Sequence, residues 1–494
     1  MLENIAAGFF NLLSWQNLLF INFGLVIGIV FGSLPGLTAT MGVALFLPVT
    51  FGMEPITGML LLLGIYCGGI YGGSITAILI KTPGTPASAA TILDGYTMAQ
   101  NGHAGKALDT ALVASTIGGI FSAIILLFLA PQVARAALKF GPPEFFTLAL
   151  FGLSIIATIS SKQVFKGLLS GCMGMFFSSV GLDPIEGLPR FIFGITDLMS
   201  GISLIPALIG LFAIAEIMTK VYAGDVDVPD KVAVPKEHMT LREVKDCFVD
   251  ILKSSVIGTF IGAIPGTGAT TASFLSYMEA RRVSKTPEKF GTGHINGIAA
   301  PEAGNNGVTG ATLIPLLTLG IPGDSVTAIM LGALMMQGLT PGPALFERQG
   351  VLVYTIMVGL VFVNIFMFLQ GKLFLKAYIN VTKIPTNLLS AILIVLCVVG
   401  GFSVNNSVFE VFIMLAFALL GYIMIKVNIP VVPMLLAIIL GPIAEQSMRQ
   451  ALIISQGSYA IFVTRPISLM FVILTLFSIS IPVYLNIKRI KAVK

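Results

Sequence analysis

Four short clusters of proline, glycine and polar residues interrupt the apolar sequence. Pro35-Gly36 and Pro265-Gly266 are each followed by threonines, and Thr82-Pro83-Gly84 and Pro322-Gly323-Asp324 form a second pair. Proline removes a backbone donor and glycine permits a sharp turn, so a helix that contains such a cluster must break. The N–H groups at the start of the next half-helix favour an anion, whereas the freed carbonyls at the end of the previous one favour a cation. The clusters therefore predict a site for small charged species.

The composition indicates that these breaks lie in a membrane. Of 494 residues, 56% are hydrophobic and only 10% are charged, whereas a soluble domain carries about 25% charged residues. Apolar runs long enough to cross a bilayer recur from Asn17 to Ile487. Irregular backbone at membrane depth persists only where it is buried in protein or lines a polar cavity. We therefore predict an all-α polytopic membrane protein with about 10–12 crossings, embedded in the lipid bilayer.

Several other classes of protein find little support. The four cysteines form no CxxC pair, which argues against a disulfide or metal framework, and the N-terminus has no basic region typical of a cleaved signal peptide. The net charge of +5 comes without an aromatic-interleaved basic patch, so no nucleic-acid partner is expected. No HExxH, GxSxG or GxxxxGK[ST] motif occurs. We expect a protein that is not an enzyme and holds no cofactor.

Segments in the first half of the sequence align with segments in the second half, which indicates an internal duplication. "GSLPGLTATMGVAL" at 32–45 aligns with "GAIPGTGATTASFL" at 262–275, and "KTPGTP" at 81–86 aligns with "GIPGDS" at 320–325, which pairs Lys81 with Gly320. Two further pairs follow in the same order, "GKAL" with "GPAL" and "PALIGLFAIAE" with "PMLLAIILGPIAE". We predict a first membrane repeat at 1–222, a cytoplasmic linker at 223–239, a second repeat at 240–446, and a final span with a basic cytoplasmic tail at 447–494.

The two repeats are expected to have opposite orientations in the membrane. An odd number of crossings is predicted between the first two Pro-Gly clusters, near 69–93, 107–130, 145–160, 164–181 and 200–222. A separate crossing at 55–66 would change this parity. Most Lys and Arg residues, including those from Lys220 to Lys253 and at the C-terminus, fall on the side of the linker. Basic residues prefer the cytoplasmic side, which puts the linker and the C-terminus there.

Each repeat is predicted to contain a re-entrant hairpin and a broken helix. The hairpins cover about 17–51 and 250–279, and the broken helices centre near 83 and 322. An arm at 251–264 is about 21 Å long as a helix, too short for the roughly 30 Å hydrocarbon core. A separate interfacial helix is expected at 240–252. Close packing explains Gly28-xxx-Gly32 and Gly258-xxx-Gly262 equally well, but it leaves the duplicated Pro-Gly breaks unexplained.

Inverted repeats with hairpins and broken helices are typical of secondary active transporters. An anion channel is the alternative, although it requires a continuous polar stripe, and a membrane-embedded hydrolase is less favoured still.

The sequence also resembles a known family, the large membrane subunit of the tripartite tricarboxylate transporters. The resemblance covers nearly the whole chain and depends on long motifs that occur in order, among them "TPGTPASAATILDGYTMAQNGHAGKAL" and "GIAAPEAGNNGVTGATLIPLLTLGIPGDSVTAIMLGAL". It implies import of a di- or tricarboxylate such as citrate across the bacterial inner membrane, driven by Na⁺ or H⁺. It also implies two partners, a small four-helix membrane subunit and a periplasmic solute-binding protein.

The breaks and the resemblance together nominate a set of site residues. The predicted substrate-binding residues are Gly36, Thr38, Thr40, Lys81, Thr82, Gly84, Thr85, Gly266, Thr267, Thr270, Gly323 and Ser325. The predicted coupling-ion residues are Asn305, Asn306 and Asp324, and no other metal is expected.

Several of these residues have a structural alternative. Lys81 has two functional interpretations: it pairs with a substrate carboxylate, or it takes the place of a coupling cation. In the structural alternative, it lies near a helix end and its ammonium group extends to the membrane interface. Asp324 and the two asparagines would otherwise be helix caps. Glu216 and Glu445 are expected to be structural groups at the ends of spans.

Overall fold

The computed structural model describes residues 1–159, 164–223, 237–266, 268–381 and 386–493, and within these ranges the chain is almost entirely helical. The helices are α1 (Leu2–Leu12), α2 (Trp15–Ser33), α3 (Ala39–Phe46), α4 (Pro55–Ile80), α5 (Ile92–Met98), α6 (Ala104–Ala137), α7 (Pro142–Ile159), α8 (Val164–Ser178), α9 (Leu204–Leu208), α10 (Ala215–Ala223), α11 (Leu241–Ala263), α12 (Gly268–Val283), α13 (Asn296–Ala311), α14 (Leu313–Leu319), α15 (Ser325–Met336), α16 (Pro343–Arg348), α17 (Gly350–Leu373), α18 (Leu375–Val381), α19 (Thr386–Ser403), α20 (Val408–Lys426), α21 (Val432–Ile454), α22 (Ile461–Thr464) and α23 (Pro466–Val493). Two short antiparallel strands, β1 (Gly181–Leu182) and β2 (Pro189–Arg190), pair in the loop after α8.

The helices confirm an all-α polytopic membrane protein. In the described ranges six helical segments are long and apolar enough to cross a bilayer: Trp15–Ser33, Pro55–Ile80, Ile92–Ala137, Leu204–Tyr222, Gly350–Leu373 and Val408–Lys426. Shorter apolar helices include Ala39–Gly52 and Ser325–Met336. The total number of crossings and the opposite orientation of the repeats stay predictions.

Two predicted boundaries differ from the structure. The segment predicted at 69–93 begins and ends earlier, because α4 runs without interruption from Pro55 to Ile80 and ends before the cluster at 82–84, and residues 55–66 therefore form no separate helix. Residues 240–252 are not a separate interfacial helix either, because α11 is continuous from Leu241 to Ala263. Thr240 caps α11 through a reciprocal pair of hydrogen bonds with Glu243, and no proline or glycine follows until Gly258, so nothing stops the helix at the predicted boundary.

The chain folds into two compact units whose boundaries cut across the predicted repeats. The first unit comprises Met1–Ala134 and Glu216–Gly400, and the second comprises Arg135–Ala215 and Gly401–Lys494. Each unit therefore combines a segment from each half of the sequence. The predicted linker lies largely outside the described residues, as do residues 160–163 and the last residue of the basic tail.

In the first unit, glycines allow the hairpin helices to touch their neighbours. A Cβ atom at Gly28 would lie 2.4 Å from the carbonyl oxygen of Ile65 in α4, and one at Gly32 would lie 2.1 Å from that of Gly69. A Cβ at Gly258 of α11 would likewise lie 2.2 Å from the carbonyl oxygen of Gly304 in α13. The packing interpretation is therefore correct for these glycines, which leaves the Pro-Gly turns to be explained separately.

In the second unit, ion pairs attach the loop after α8 to α21. Asp183 accepts hydrogen bonds from the backbone N–H groups of Ile185 and Glu186, at 2.9 Å each, and pairs with Arg449 at 3.0 Å. These backbone hydrogen bonds, reinforced by the nearby guanidinium charges, hold the pKa of Asp183 below its usual value. Glu445 pairs with Arg190 at 2.7 Å and with Arg449 at 3.0 Å, in agreement with a structural role.

Candidate functional site

The first Pro-Gly cluster of each half forms a tight turn between two helices. Gly36 has a φ of +77° between α2 and α3, and Gly266 has a φ of +81° between α11 and α12. Both conformations lie in the left-handed region, which glycine adopts without steric cost. The two residues predicted to be repeat partners thus share a backbone conformation.

The second pair of clusters begins with the same helix ending. Lys81 caps the C-terminus of α4 with φ 59° and ψ 17°, and its predicted partner Gly320 caps α14 with φ 70° and ψ 20°. Beyond this point the halves diverge. The second half continues directly into α15, whereas the first half forms a four-residue 3₁₀ turn at Pro86–Ala89 and then the seven-residue α5. The break at 322 is therefore followed by a helix of 12 residues, whereas the break at 83 is followed only by a short turn and a helix of seven residues.

Distant breaks in the sequence lie against each other in the first unit. The N–H of Gly266 donates a hydrogen bond of 2.7 Å to the carbonyl oxygen of Gly323, which joins the two breaks of the second half. In the first half, the N–H of Gly84 donates to the carbonyl oxygen of Gly73 at 3.2 Å, and a Cβ at Gly84 would lie only 1.9 Å from the carbonyl oxygen of Gly32. Each hairpin is therefore in direct contact with the broken helix of its own half.

The two halves also meet, through the N-termini of α3 and α15. The hydroxyl oxygens of Thr40 and Ser325 lie 2.9 Å apart, and these residues belong to the first turns of the two helices. The N-terminus of a helix carries a partial positive charge and N–H groups without intrahelical partners. Two such ends with hydroxyl groups between them form a polar, electropositive environment that suits an anion.

Asp324 is held as the N-cap of α15. Its Oδ1 accepts a hydrogen bond of 2.8 Å from the N–H of Thr327, and its Oδ2 accepts one of 2.5 Å from the hydroxyl of Tyr66 in α4. The capping alternative is thus realised for this residue. Its role towards a coupling ion stays a prediction.

Thr38 caps α3 and links the first turn to α10. Its Oγ1 accepts from the N–H of Met41 at 3.2 Å and donates to Oε2 of Glu216 at 3.1 Å. One helical turn later on α10, Lys220 lies over the Pro35-Gly36 turn, because its Cε would be 2.5 Å from a Cβ at Gly36. Its Nζ is buried and has no hydrogen-bond partner among the described residues.

Asn305 and Asn306 are buried in the middle of α13 rather than at a helix start. The Nδ2 of Asn306 donates to the carbonyl oxygen of Glu302 at 3.1 Å. The side-chain oxygens of both asparagines lack hydrogen-bond partners in the described part of the chain. Buried amide oxygens of this kind are costly unless they are hydrogen-bonded or coordinate a cation.

Glu302 is buried one turn before the asparagines and accepts hydrogen bonds from the hydroxyl groups of three residues that are far apart in the sequence. Its carboxylate accepts from Ser74 at 2.6 Å, from Ser115 at 3.0 Å and from Thr91. The "EAGNN" segment of α13 is therefore a buried polar stripe in a region that is otherwise apolar.

The remaining predicted residues differ in exposure. Lys81 is exposed, and its Nζ lies 5.5 Å from the ring centroid of Tyr96. Thr82 is half-buried and donates to the carbonyl oxygen of Ile80 at 3.3 Å, Thr85 is buried, and Thr270 is exposed on α12. Thr267 lies outside the described residues.

Metal-binding clusters of the usual kind are absent from the described ranges, where no three His, Cys, Asp or Glu side chains converge. A hard cation in this unit would therefore depend on amide, hydroxyl and backbone oxygens, which are suitable ligands for such ions.

Sequence reasoning did not nominate Lys220, which lies over the Gly36 turn, or Glu216, which accepts a hydrogen bond from Thr38. Lys220 was grouped with the cytoplasmic charges of the linker, and Glu216 was interpreted as a structural group at the end of a span. The repeat itself contained a signal, because Glu216 and Lys220 have the same four-residue spacing as Glu445 and Arg449 at the matching position of the second half. Among the described residues, Glu445 and Arg449 form a close ion pair and Glu216 and Lys220 do not.

Comparison with known proteins gives a consistent result. A family model described as the tripartite tricarboxylate transporter TctA family matches residues 18–436. An uncharacterised 52.8 kDa protein in the TAR-I ttuC' 3' region of Agrobacterium vitis is 36% identical over 472 residues, which cover 95% of this chain and 93% of the relative. An uncharacterised protein in the TAR-II ttuC' 3' region of the same organism is 37% identical over 211 residues, or 43% of this chain and 87% of the relative. No solved structure matches the chain.

Proposed function

The chain belongs to the tripartite tricarboxylate transporter TctA family, and from that premise we propose that it imports a di- or tricarboxylate such as citrate by secondary active transport. The single observation that carries this proposal is the meeting of α3 and α15 at Thr40 and Ser325. Two helix N-termini from different halves of the chain supply N–H groups, positive dipole ends and hydroxyl donors to one place. Carboxylates are the small organic anions that such a group of donors favours.

The transport is coupled to a cation gradient. Moving a trivalent anion into a cell against 100 mV costs about 7 kcal/mol, and three co-transported monovalent cations remove that electrical cost. The buried oxygens of Asn305 and Asn306, which lack partners among the described side chains, support Na⁺ as the ion that binds in α13. Protons are the alternative coupling ion, and Glu302 is the buried carboxylate in the same stripe.

The partners and the location follow from the family. We expect a small four-helix membrane subunit and a periplasmic solute-binding protein that delivers the carboxylate. We also expect the chain to lie in the bacterial inner membrane with its C-terminus in the cytoplasm, in agreement with the basic residues near the C-terminus.

A thermal-shift experiment on the purified chain tests the substrate class and the ion together. A ligand that binds only the folded state stabilises it by about 2.7 kcal/mol at a concentration of 100 times its Kd. We expect citrate or another di- or tricarboxylate to raise the unfolding temperature, and the shift to be larger in NaCl than in choline chloride. A subsequent assay measures uptake of the same carboxylates into proteoliposomes, with and without a pH gradient. The proposal is wrong if no carboxylate stabilises the protein in either salt and none is taken up.

Matched threonine variants connect the result to the site. Thr40→Ala removes a hydroxyl from the meeting point of α3 and α15, whereas Thr464→Ala removes an exposed hydroxyl that bonds only within its own helix, to the carbonyl oxygen of Ala460. We expect Thr40→Ala to reduce the ligand-induced shift and Thr464→Ala to leave it unchanged. Single-channel recording of the wild-type chain separates a transporter from an anion channel, because only a channel gives discrete conductance steps.

A further inference from the structure

The buried ammonium group of a half-buried lysine lies at the first Pro-Gly turn without a hydrogen-bond partner among the described residues. The Nζ of Lys220 is buried, and none of the residues that the structure describes accepts a hydrogen bond from it. A Cβ built on Gly36 would lie 3.1 Å from this Nζ and 2.5 Å from the Cε. The end of the lysine side chain therefore lies close to the backbone of the turn, where Gly36 has a φ of +77°.

The nearest acid interacts with this charge only at longer range. Glu216 is one turn earlier on the same helix, but its Oε2 accepts a hydrogen bond from Thr38, and among the described residues no close ion pair joins it to Lys220. The equivalent residue of the second half, Arg449, pairs with both Asp183 and Glu445. One cation of the repeat pair is thus fully paired, and the other is held against the predicted substrate loop.

A buried ammonium group without a hydrogen-bond acceptor is expensive, and an anion bound beside it would remove much of this cost. The N-terminus of α3 begins at Ala39, three residues after Gly36, and presents its positive dipole end to the same turn. Thr38 and Thr40 add hydroxyl groups within the same short segment. Together these groups fit one carboxylate of an organic anion, held by a charge-assisted hydrogen bond from Lys220.

We propose that Lys220 binds one carboxylate group of the transported anion at the Pro35-Gly36 turn, and that Glu216 limits the negative charge this position accepts. This inference depends on the proposed carboxylate transport and names a specificity-determining residue for it. Lys220, rather than the exposed Lys81, then supplies the buried counter-charge for the substrate.

The test measures binding of succinate, tricarballylate and citrate to the purified chain by calorimetry, with the mono-amide of succinate as a ligand that lacks one carboxylate. We expect Lys220→Gln to weaken succinate binding about 30-fold and to weaken the mono-amide much less, because the amide lacks the group that Lys220 contacts. Lys220→Arg should restore part of the affinity. Arg449→Gln, the matched change in the other half, should leave all four affinities unchanged.

A second variant keeps the test decisive if Lys220→Gln does not fold. Glu216→Gln retains an acceptor for Thr38 but removes a negative charge beside the ammonium group, so it should raise the affinity for succinate several-fold and for the mono-amide less. The inference is overturned if a folded Lys220→Gln protein keeps wild-type affinity and wild-type discrimination between succinate and its mono-amide. It is equally overturned if Glu216→Gln leaves the succinate affinity unchanged. Failure of the wild-type chain to bind any of these carboxylates would instead remove the proposed function, and this inference with it.

Discussion

The contact between Gly84 and α2 makes a quantitative prediction about the broken helix. In Gly84→Ala the new methyl group would lie 1.9 Å from the carbonyl oxygen of Gly32 and 2.8 Å from the Cα of Gly73. Both atoms belong to the backbone of neighbouring helices, so no side-chain rotation relieves the overlap. The substitution therefore tests whether the first break is closely packed against the hairpin.

The size of the effect follows from this geometry. A carbon atom normally approaches a carbonyl oxygen no closer than about 3.3 Å, so α2 and the break must separate by more than about 1 Å. Overpacking of this kind costs typically 1–3 kcal/mol, and we expect about 2–3 kcal/mol because the contacts involve only backbone. For a chain of 494 residues this corresponds to a decrease in the unfolding temperature of about 2–3 °C.

Thermal unfolding of the detergent-solubilised protein measures the effect, with Gly52→Ala as the matched control. Gly52 is exposed and has no atom within 4 Å of a built Cβ, so its substitution should change the unfolding temperature by less than about 1 °C. Gly323→Ala, which would meet the Cβ of Thr312 at 2.7 Å, should give an intermediate decrease. A Gly84→Ala protein that unfolds at the wild-type temperature would refute the close contact between the break and α2.

Three further predictions follow from individual contacts. Because Lys81 has a left-handed conformation that costs a non-glycine residue about 1 kcal/mol, Lys81→Gly should unfold at a higher temperature than Lys81→Ala, and equal temperatures would argue against this strain. Asp183 has a lowered pKa in the folded state, so the stability it contributes is present above its unfolded pKa and is lost as the pH falls through the lower folded pKa. Asp183→Asn should therefore reduce the loss of stability that the protein shows at acidic pH, and an unchanged loss would contradict this. A double-mutant cycle of Thr40→Ala and Ser325→Ala should give a coupling energy of about 0.5–1.5 kcal/mol in thermal unfolding, whereas additive effects would show that the 2.9 Å contact contributes nothing.

Much of the fold could be predicted from local features of the sequence. The predicted crossings at 107–130 and 200–222 lie in helical segments that are long and apolar enough to span a bilayer, Ile92–Ala137 and Leu204–Tyr222, because long apolar runs fix the position of membrane helices. The Pro-Gly clusters break helices where expected, since proline and glycine act on the backbone directly. The pairing of Lys81 with Gly320 was also informative, because both residues have the same left-handed conformation.

The candidate site was predicted less completely, because its geometry depends on residues far apart in the sequence. Thr38, Thr40 and Ser325 lie where half-helices begin, as expected, but Lys81 is exposed and Asp324 is a helix cap. A lysine in a run of basic residues has no local property that distinguishes a buried ammonium group from a cytoplasmic one. The contact of Lys220 with the Gly36 turn was not predicted for this reason.

The sequence by itself determined that the protein is a helical membrane protein, where its helices break, and which family it resembles. These properties follow from hydrophobic run length, from backbone chemistry and from motifs that are contiguous in the chain. Only the tertiary structure decided that the N–H of Gly266 bonds to Gly323, that Thr40 meets Ser325, and that Lys220 covers Gly36. Such contacts join segments up to hundreds of residues apart, and they depend on how closely glycine-lined helices pack, which no local pattern specifies.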